Sequence, residues 1–241
     1  YCGNLLVSRL VNATLHLVST KEYLNHPQGG WGIVKDLQQK LESSSSSSSS
    51  SCYPVPSGGS CGLGVWGYIE CVRELIQYSN EENVTFDRVY FACGSGGTAA
   101  GLALGMYLSG MLKTTKLIAV SVDDTPDFFY KKIDQLISST MHTGTEMKDV
   151  MNGKTARDLV RVIDGVGAGY AESTEQELLD IYQLSKHSGV ILDPVYSGKA
   201  ALTMLKDLKN VQKKQHVIFI HTGGLLGFYD KIKQLNKVVR S

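Results

Sequence analysis

The sequence predicts an α/β protein, a mostly parallel twisted sheet flanked by helices. Three observations point there. Short apolar runs that read as strands alternate with longer segments of helical spacing. One of them, Val89 to Ala92, breaks straight into a Gly/Ser/Thr loop and then into a helix of small and apolar residues, Ala99 to Leu108. Three glycine-containing polar clusters, at 93–98, 193–199 and 221–224, each follow an apolar run, and parallel sheets bind ligands at the carboxyl ends of their strands.

Taken in order, Leu5, Leu6, Leu10 and Val11 repeat at helical spacing, and 15–18 reads as a short strand. A helix is expected over about 31–41. Ser43 to Ser51 is a run of nine serines that supplies no core and reads as a flexible surface insertion. Pro54 to Ser60 forms a Pro/Gly-rich turn, followed by a helix over about 63–78 and the strand 87–92. Lys116 to Val122 is the next strand. Asp123-Asp124-Thr125-Pro126 then caps a helix that runs to about Ile137. A poorly patterned stretch leads through Gly165 to Tyr170. Ser173 and Gln176 stand at capping-box spacing before a helix that ends near His187. The last elements are the apolar run 189–192, a helix ending near Leu208, and the strand 217–220.

Composition narrows the function. Lys and Arg total 24 against 23 Asp and Glu, a net charge of +1, which argues against binding nucleic acid or a membrane surface through bulk charge. No apolar run approaches a membrane span, and the first residues do not resemble a secretory signal. The five cysteines are odd in number and lack a Cys-x-x-Cys pair, so neither a metal site nor a disulfide framework is expected, and an intracellular, cytoplasmic-type setting follows. The opening on Tyr1 suggests a chain that begins inside a longer protein.

The 93–98 loop has the physical form of a phosphate site. Glycines let backbone N–H groups close on the oxygens, the following helix dipole favours negative charge, and Ser95 and Thr98 add hydroxyl donors. A strand-to-helix turn that needs glycine only for packing is the plain alternative. A dinucleotide site is another: Gly94-x-Gly96 with Asp123 after the next strand imitates that fingerprint, but neither Gly97 nor Gly101 supplies its third glycine at the required spacing.

The set of motifs resembles the pyridoxal-phosphate enzymes of the tryptophan synthase β-like fold, and within them the D-cysteine desulfhydrase and 1-aminocyclopropane-1-carboxylate deaminase family. It rests on Gly3-Asn4-Leu5-Leu6, Pro56-Ser57-Gly58-Gly59-Ser60, Cys93-Gly94-Ser95-Gly96-Gly97-Thr98, Gly169-Tyr170, Asp193-Pro194-Val195-Tyr196-Ser197-Gly198-Lys199 and His221-Thr222-Gly223-Gly224, in the family's order over nearly the whole chain. The resemblance implies that Gly94, Ser95, Gly96, Gly97 and Thr98 hold the phosphate of pyridoxal 5'-phosphate, and that Thr222 offers its hydroxyl to the pyridine nitrogen. Tyr196, Tyr170 and Ser197 would serve the substrate, although each tyrosine alone reads equally as a core or interface aromatic. Ser197 and Thr222 stand where cyclopropane-opening members typically carry Glu and Leu. The implied reaction is therefore the conversion of D-cysteine to pyruvate, hydrogen sulfide and ammonia; the alternatives are the cyclopropane deaminase and a non-catalytic phosphate- or cofactor-binding paralogue.

The same resemblance implies residues 57–241 as most of the cofactor-binding domain, 1–56 as the remnant of a smaller α/β domain, and a homodimer acting on an amino acid. It also implies a departure. The family's Schiff-base lysine, in a Gly-Asn-Lys-type segment, and its Gln-Ser-Asn-His segment do not occur here, and Lys199 is not expected to replace that lysine. The expectation is an incomplete chain whose 241 residues alone are inactive.

Overall fold

The structure, a computed structural model, describes residues 2–27, 29–44, 51–140 and 147–240. Its strands are β1 (Arg88–Cys93), β2 (Lys116–Ser121), β3 (Arg161–Asp164) and β4 (Val217–Ile220). They form one sheet in the order β3-β2-β1-β4, every neighbouring pair parallel. The central strand, β1, is buried from Val89 to Cys93, which is why it reads as a continuous apolar run rather than an alternating one.

Among the described residues the α-helices are α1 (Gly3–Leu10), α2 (Thr20–Asn25), α3 (Gly29–Ser44), α4 (Gly62–Glu81), α5 (Gly97–Leu108), α6 (Pro126–Ser138), α7 (Met147–Met151), α8 (Ala156–Leu159), α9 (Glu175–Ser188), α10 (Ser197–Leu208), α11 (Gly227–Asp230) and α12 (Ile232–Arg240). One face of the sheet, with Val89, Phe91, Leu117 and Ala119, packs on α4, α5, α6 and α8. The opposite face meets α10 through Ala92, Val120 and Ala200, and α9 joins α10 through Ile181 and Ala201. Helix α5 is buried without a break from Ala99 to Met106, so that stretch is apolar all round. A Cβ at Gly101 would lie 2.6 Å from the Val65 carbonyl oxygen, so glycine there lets α4 and α5 approach closely.

Several expectations are corrected. Residues 15–18 form no strand: Leu17 is 90% exposed, and a strand needs a ladder partner that the sheet does not offer there. Before α2, a capping box between Ser19 and Glu22 marks a helix that the apolar pattern does not reveal. The cap of α9 lies one residue later than expected, with Thr174 and Glu177 exchanging the two bonds, while Ser173 donates to the Pro194 carbonyl. The patternless stretch hides β3, and 189–192 is not a strand, so the 193–199 cluster follows an unpaired segment. Ser43 and Ser44 continue α3, whereas 45–50 of the serine run and Tyr1 lie outside the described residues. All five cysteines are free. Among the described residues, no helix is long and apolar enough to cross a membrane.

Candidate active site

The carboxyl ends of β1, β2 and β4 open on a cavity of about 320 Å³, within the usual range for small-molecule sites. Ala92 and Gly94 reach it from β1, Asp123 from the end of β2, and Thr222, Gly223 and Gly224 from the end of β4. Ser57, Gly58 and Tyr68 close one side; Ser95, Thr98, Tyr170 and Tyr196 complete the wall. The sheet thus unites motifs more than a hundred residues apart.

The loop after β1 is built for close approach. Gly96 caps α5 at φ 88°, a left-handed conformation that glycine adopts without a Cβ clash. A Cβ at Gly94 would stand 3.1 Å from the Tyr196 ring, and one at Gly97 would stand 2.6 Å from Ser60 Oγ. Gly58, at φ +66°, would place a Cβ against Ser95 Oγ. The first N–H groups of α5 have no acceptor within their own helix. That of Gly97 donates to Ser60 Oγ at 3.2 Å, and Ser60 Oγ donates to Ser95 Oγ at 2.7 Å. Gly94, Ser95 and Thr98 line the cavity, whereas Gly96 and Gly97 shape the backbone behind them.

The turn ahead of α10 is organised by Asp193, which is fully buried. Its Oδ2 accepts from the N–H groups of Val195 (2.9 Å) and Tyr196 (2.8 Å). Its Oδ1 accepts from the Ser197 N–H (2.8 Å) and from Ser197 Oγ (2.6 Å). Four donors and the helix N-terminus offset the desolvation of that carboxylate. A Cβ at Gly224, at φ +92°, would fall 2.7 Å from Asp193 Oδ1, so the turn after β4 rests on the same side chain. Ser197, by contrast, is 1% exposed and does not line the cavity; its hydroxyl is bonded to Asp193, which holds the backbone at Tyr196.

Tyr170 and Tyr196 do meet. Their hydroxyls lie 2.6 Å apart, with ring centroids at 6.2 Å and planes at 64°. Burial, reinforced by the Tyr170 hydrogen bond and by Asp123 and Asp193, pushes the Tyr196 phenol well above its usual range, so it keeps its proton at neutral pH. Burial, with Asp124 beside it, also raises the Asp123 carboxyl. Cys93, behind the loop, is pushed up to about 12 by burial and stays a thiol. Among the described residues, no lysine lines the cavity. Lys199 is 2% exposed and directs its Nζ to the carbonyls of Val166 and Gly169.

Ser60, Tyr68 and Asp123 were not singled out from sequence as site residues. Ser60 stood inside a quoted motif and Asp123 inside the rejected dinucleotide pattern; Tyr68, a mid-helix tyrosine, carries no signal.

The residues present fit a phosphorylated aromatic cofactor. Glycine-only close approaches, a helix N-terminus and the Ser95 and Thr98 side chains border the cavity. The Thr222 hydroxyl and a tyrosine pair share the same cavity.

Comparison with known proteins agrees. The family described as pyridoxal-phosphate dependent enzyme matches residues 3–223. The bifunctional D-cysteine desulfhydrase/1-aminocyclopropane-1-carboxylate deaminase, mitochondrial, of Arabidopsis thaliana is 42% identical over 238 residues, covering 97% of this chain and 55% of that protein. D-cysteine desulfhydrase of Serratia proteamaculans is 33% identical over 227 residues, covering 92% of this chain and 62% of that protein. The chain thus spans little more than half the length of these relatives. A crystal structure of an ACC deaminase homologue shares the fold at a TM-score of 0.77 and 24% identity, covering 98% of this chain and 66% of that one.

Proposed function

The chain belongs to the pyridoxal-phosphate-dependent enzymes, and from that membership we propose that it forms the cofactor- and substrate-binding part of a D-cysteine desulfhydrase. One observation carries the reading: the 94–98 loop, Thr222 and the Tyr170–Tyr196 pair, far apart in sequence, line one cavity at the ends of parallel strands. Ser95, Thr98 and the first turn of α5 would hold the phosphate, and Thr222 would offer its hydroxyl to the ring nitrogen. Bound there, pyridoxal phosphate supplies an electron sink for the α-carbon of an amino acid.

The chain's own groups suit loss of a β-thiol. Thr222 is a neutral partner, and unlike a carboxylate it does not force a proton onto the ring nitrogen. Tyr196, protonated at neutral pH, can hydrogen-bond a departing thiolate or the substrate carboxylate, with Tyr170 holding its orientation. Overall, D-cysteine and water give pyruvate, hydrogen sulfide and ammonium. The names of the Arabidopsis and Serratia relatives favour this substrate, as does Thr222 on the cavity wall. The division into a small-domain remnant at 1–56 and a cofactor domain at 57–241, the homodimer and the intracellular setting belong to the same proposal.

Among the described residues the cavity wall carries no lysine, so the 241 residues are expected to hold cofactor and substrate without turnover of their own. The test compares two samples, each saturated with pyridoxal phosphate and given D-cysteine: the protein as its own cells make it, and the 241 residues expressed alone. Sulfide and pyruvate in equal amounts are expected from the first and only the free-cofactor background from the second. No sulfide from the cellular protein would overturn the assigned reaction; sulfide above background from the short chain would overturn its inactivity.

A further inference from the structure

Tyr170 stands in a segment with almost no packing to hold it: no residue from 164 to 171 is buried, and Tyr170 itself is 48% exposed. Yet its hydroxyl meets that of Tyr196 at 2.6 Å. The segment is tied down at its start, where the Gly165 N–H donates to the Ser121 carbonyl at 2.9 Å. Beyond that point the strong anchor is Lys199. It lies three residues after Tyr196, in the first turn of α10, and is 2% exposed. Its Nζ donates to the carbonyls of Val166 and Gly169, both at 2.5 Å. Gly169 is the residue before Tyr170, at φ +144°, and its own N–H turns back to the Val166 carbonyl at 3.3 Å.

We propose that Lys199 is a positioning residue, which fastens the 165–170 loop to the first turn of α10 and thereby sets Tyr170 against Tyr196 across the cavity. A buried ammonium at a helix N-terminus is a costly choice, because it is desolvated and faces the positive end of the dipole. An apolar side chain would pack at that point without the cost. The two carbonyls are what the charge gains in return, and among the described residues no carboxylate lies within ion-pair distance of it. Burial disfavours the charge, Glu177 and Glu172 favour it and Lys231 disfavours it, with burial the largest of these effects. Helix α10 therefore holds both halves of the pair: Tyr196 directly at its start, and Tyr170 through Lys199.

For its consequence the inference rests on the cavity being the substrate seat, but its test needs neither cofactor nor substrate. In Lys199→Met, amide hydrogen exchange over 165–171 is expected to quicken about tenfold or more while β1 exchanges as before. In spectra of ζ-13C-tyrosine-labelled protein, Tyr196 is expected to ionise at a lower pH, because it loses the Tyr170 bond. Lys199→Arg, which keeps the donors, is expected to restore both signals in large part. Tyr170→Phe is expected to move the Tyr196 ionisation without quickening the loop, which separates the clamp from the pair. If Lys199→Met loosens β1 as well, acylation of the unaltered protein decides: Lys199 is expected to react about tenfold or more slowly than Lys206 of the same helix. Wild-type loop exchange and Tyr196 ionisation in a folded Lys199→Met protein would overturn the proposal, as would acylation of Lys199 at the Lys206 rate.

Discussion

Ser197 shows how one hydroxyl serves a site without touching it. It donates to Asp193 Oδ1 and accepts from the Asp193 N–H, so the aspartate and the serine close a small buried ring that fixes the backbone on which Tyr196 stands. Ser197→Ala removes both bonds and leaves the Asp193 N–H without that acceptor. The expected cost is ~1–3 kcal/mol, read as a lower urea midpoint at unchanged slope; a change under about 0.5 kcal/mol would contradict the arrangement. The glycine loop after β1 was legible because its residues are contiguous and its glycines have a local cause. The Tyr170–Tyr196 pairing was legible only through the resemblance, since two tyrosines that far apart have no pattern in common. That the Ser197 side chain turns to Asp193 and away from the cavity was not legible, because a motif fixes the order of its residues and not which way each side chain turns. Ser60, although part of the Pro56 to Ser60 motif, and Tyr68 were not legible as site residues because they arrive from another turn and another helix.

At the scale of elements, Asp207 near the end of α10 locks the opposite end of the sheet. It accepts from the Tyr90 hydroxyl at 2.6 Å and pairs with Arg88 of β1 at 3.4 Å and Arg161 of β3 at 3.1 Å. Burial alone would raise its carboxyl, but Tyr90, Arg161 and Arg88 together bring it below the usual range. A carboxyl lowered by folding stabilises above its unfolded value and loses that contribution as pH falls through the folded one. Asp207→Asn is therefore expected to cost ~2–3 kcal/mol at pH 7, with the gap to wild type narrowing below about pH 4. Thermal melts at the two pH values check it, and a gap independent of pH would contradict the ion pairs. The same strands explain what sequence reading could and could not deliver. Strand β1 is buried on both faces and stands out as an apolar run, whereas β3 is a four-residue edge strand with only Val162 buried, so it leaves no pattern. At the start of α9, two adjacent hydroxyl residues each stand three before a Glu or Gln, and spacing cannot choose between them.

Across the molecule, burial is uneven. Among the described residues the first buried hydrophobic side chain is Val65; before it Leu10, Leu17, Tyr53 and Val55 stand largely exposed. Apart from Ser57 and Gly58, the residues that line the candidate cavity lie in the well-packed part that follows, on one sheet end, which is why the cavity is well formed in a chain that spans little more than half the length of its relatives. The central claim is that the 94–98 loop, backed by the start of α5, is a phosphate cradle. Equilibrium binding of pyridoxal 5'-phosphate and of pyridoxal to the 241 residues tests it most directly, because the two ligands differ only in the phosphate. The account predicts that the phosphorylated compound binds about a hundredfold more tightly, and that Thr98→Val narrows the difference. Equal affinities, or no binding of either, would contradict it.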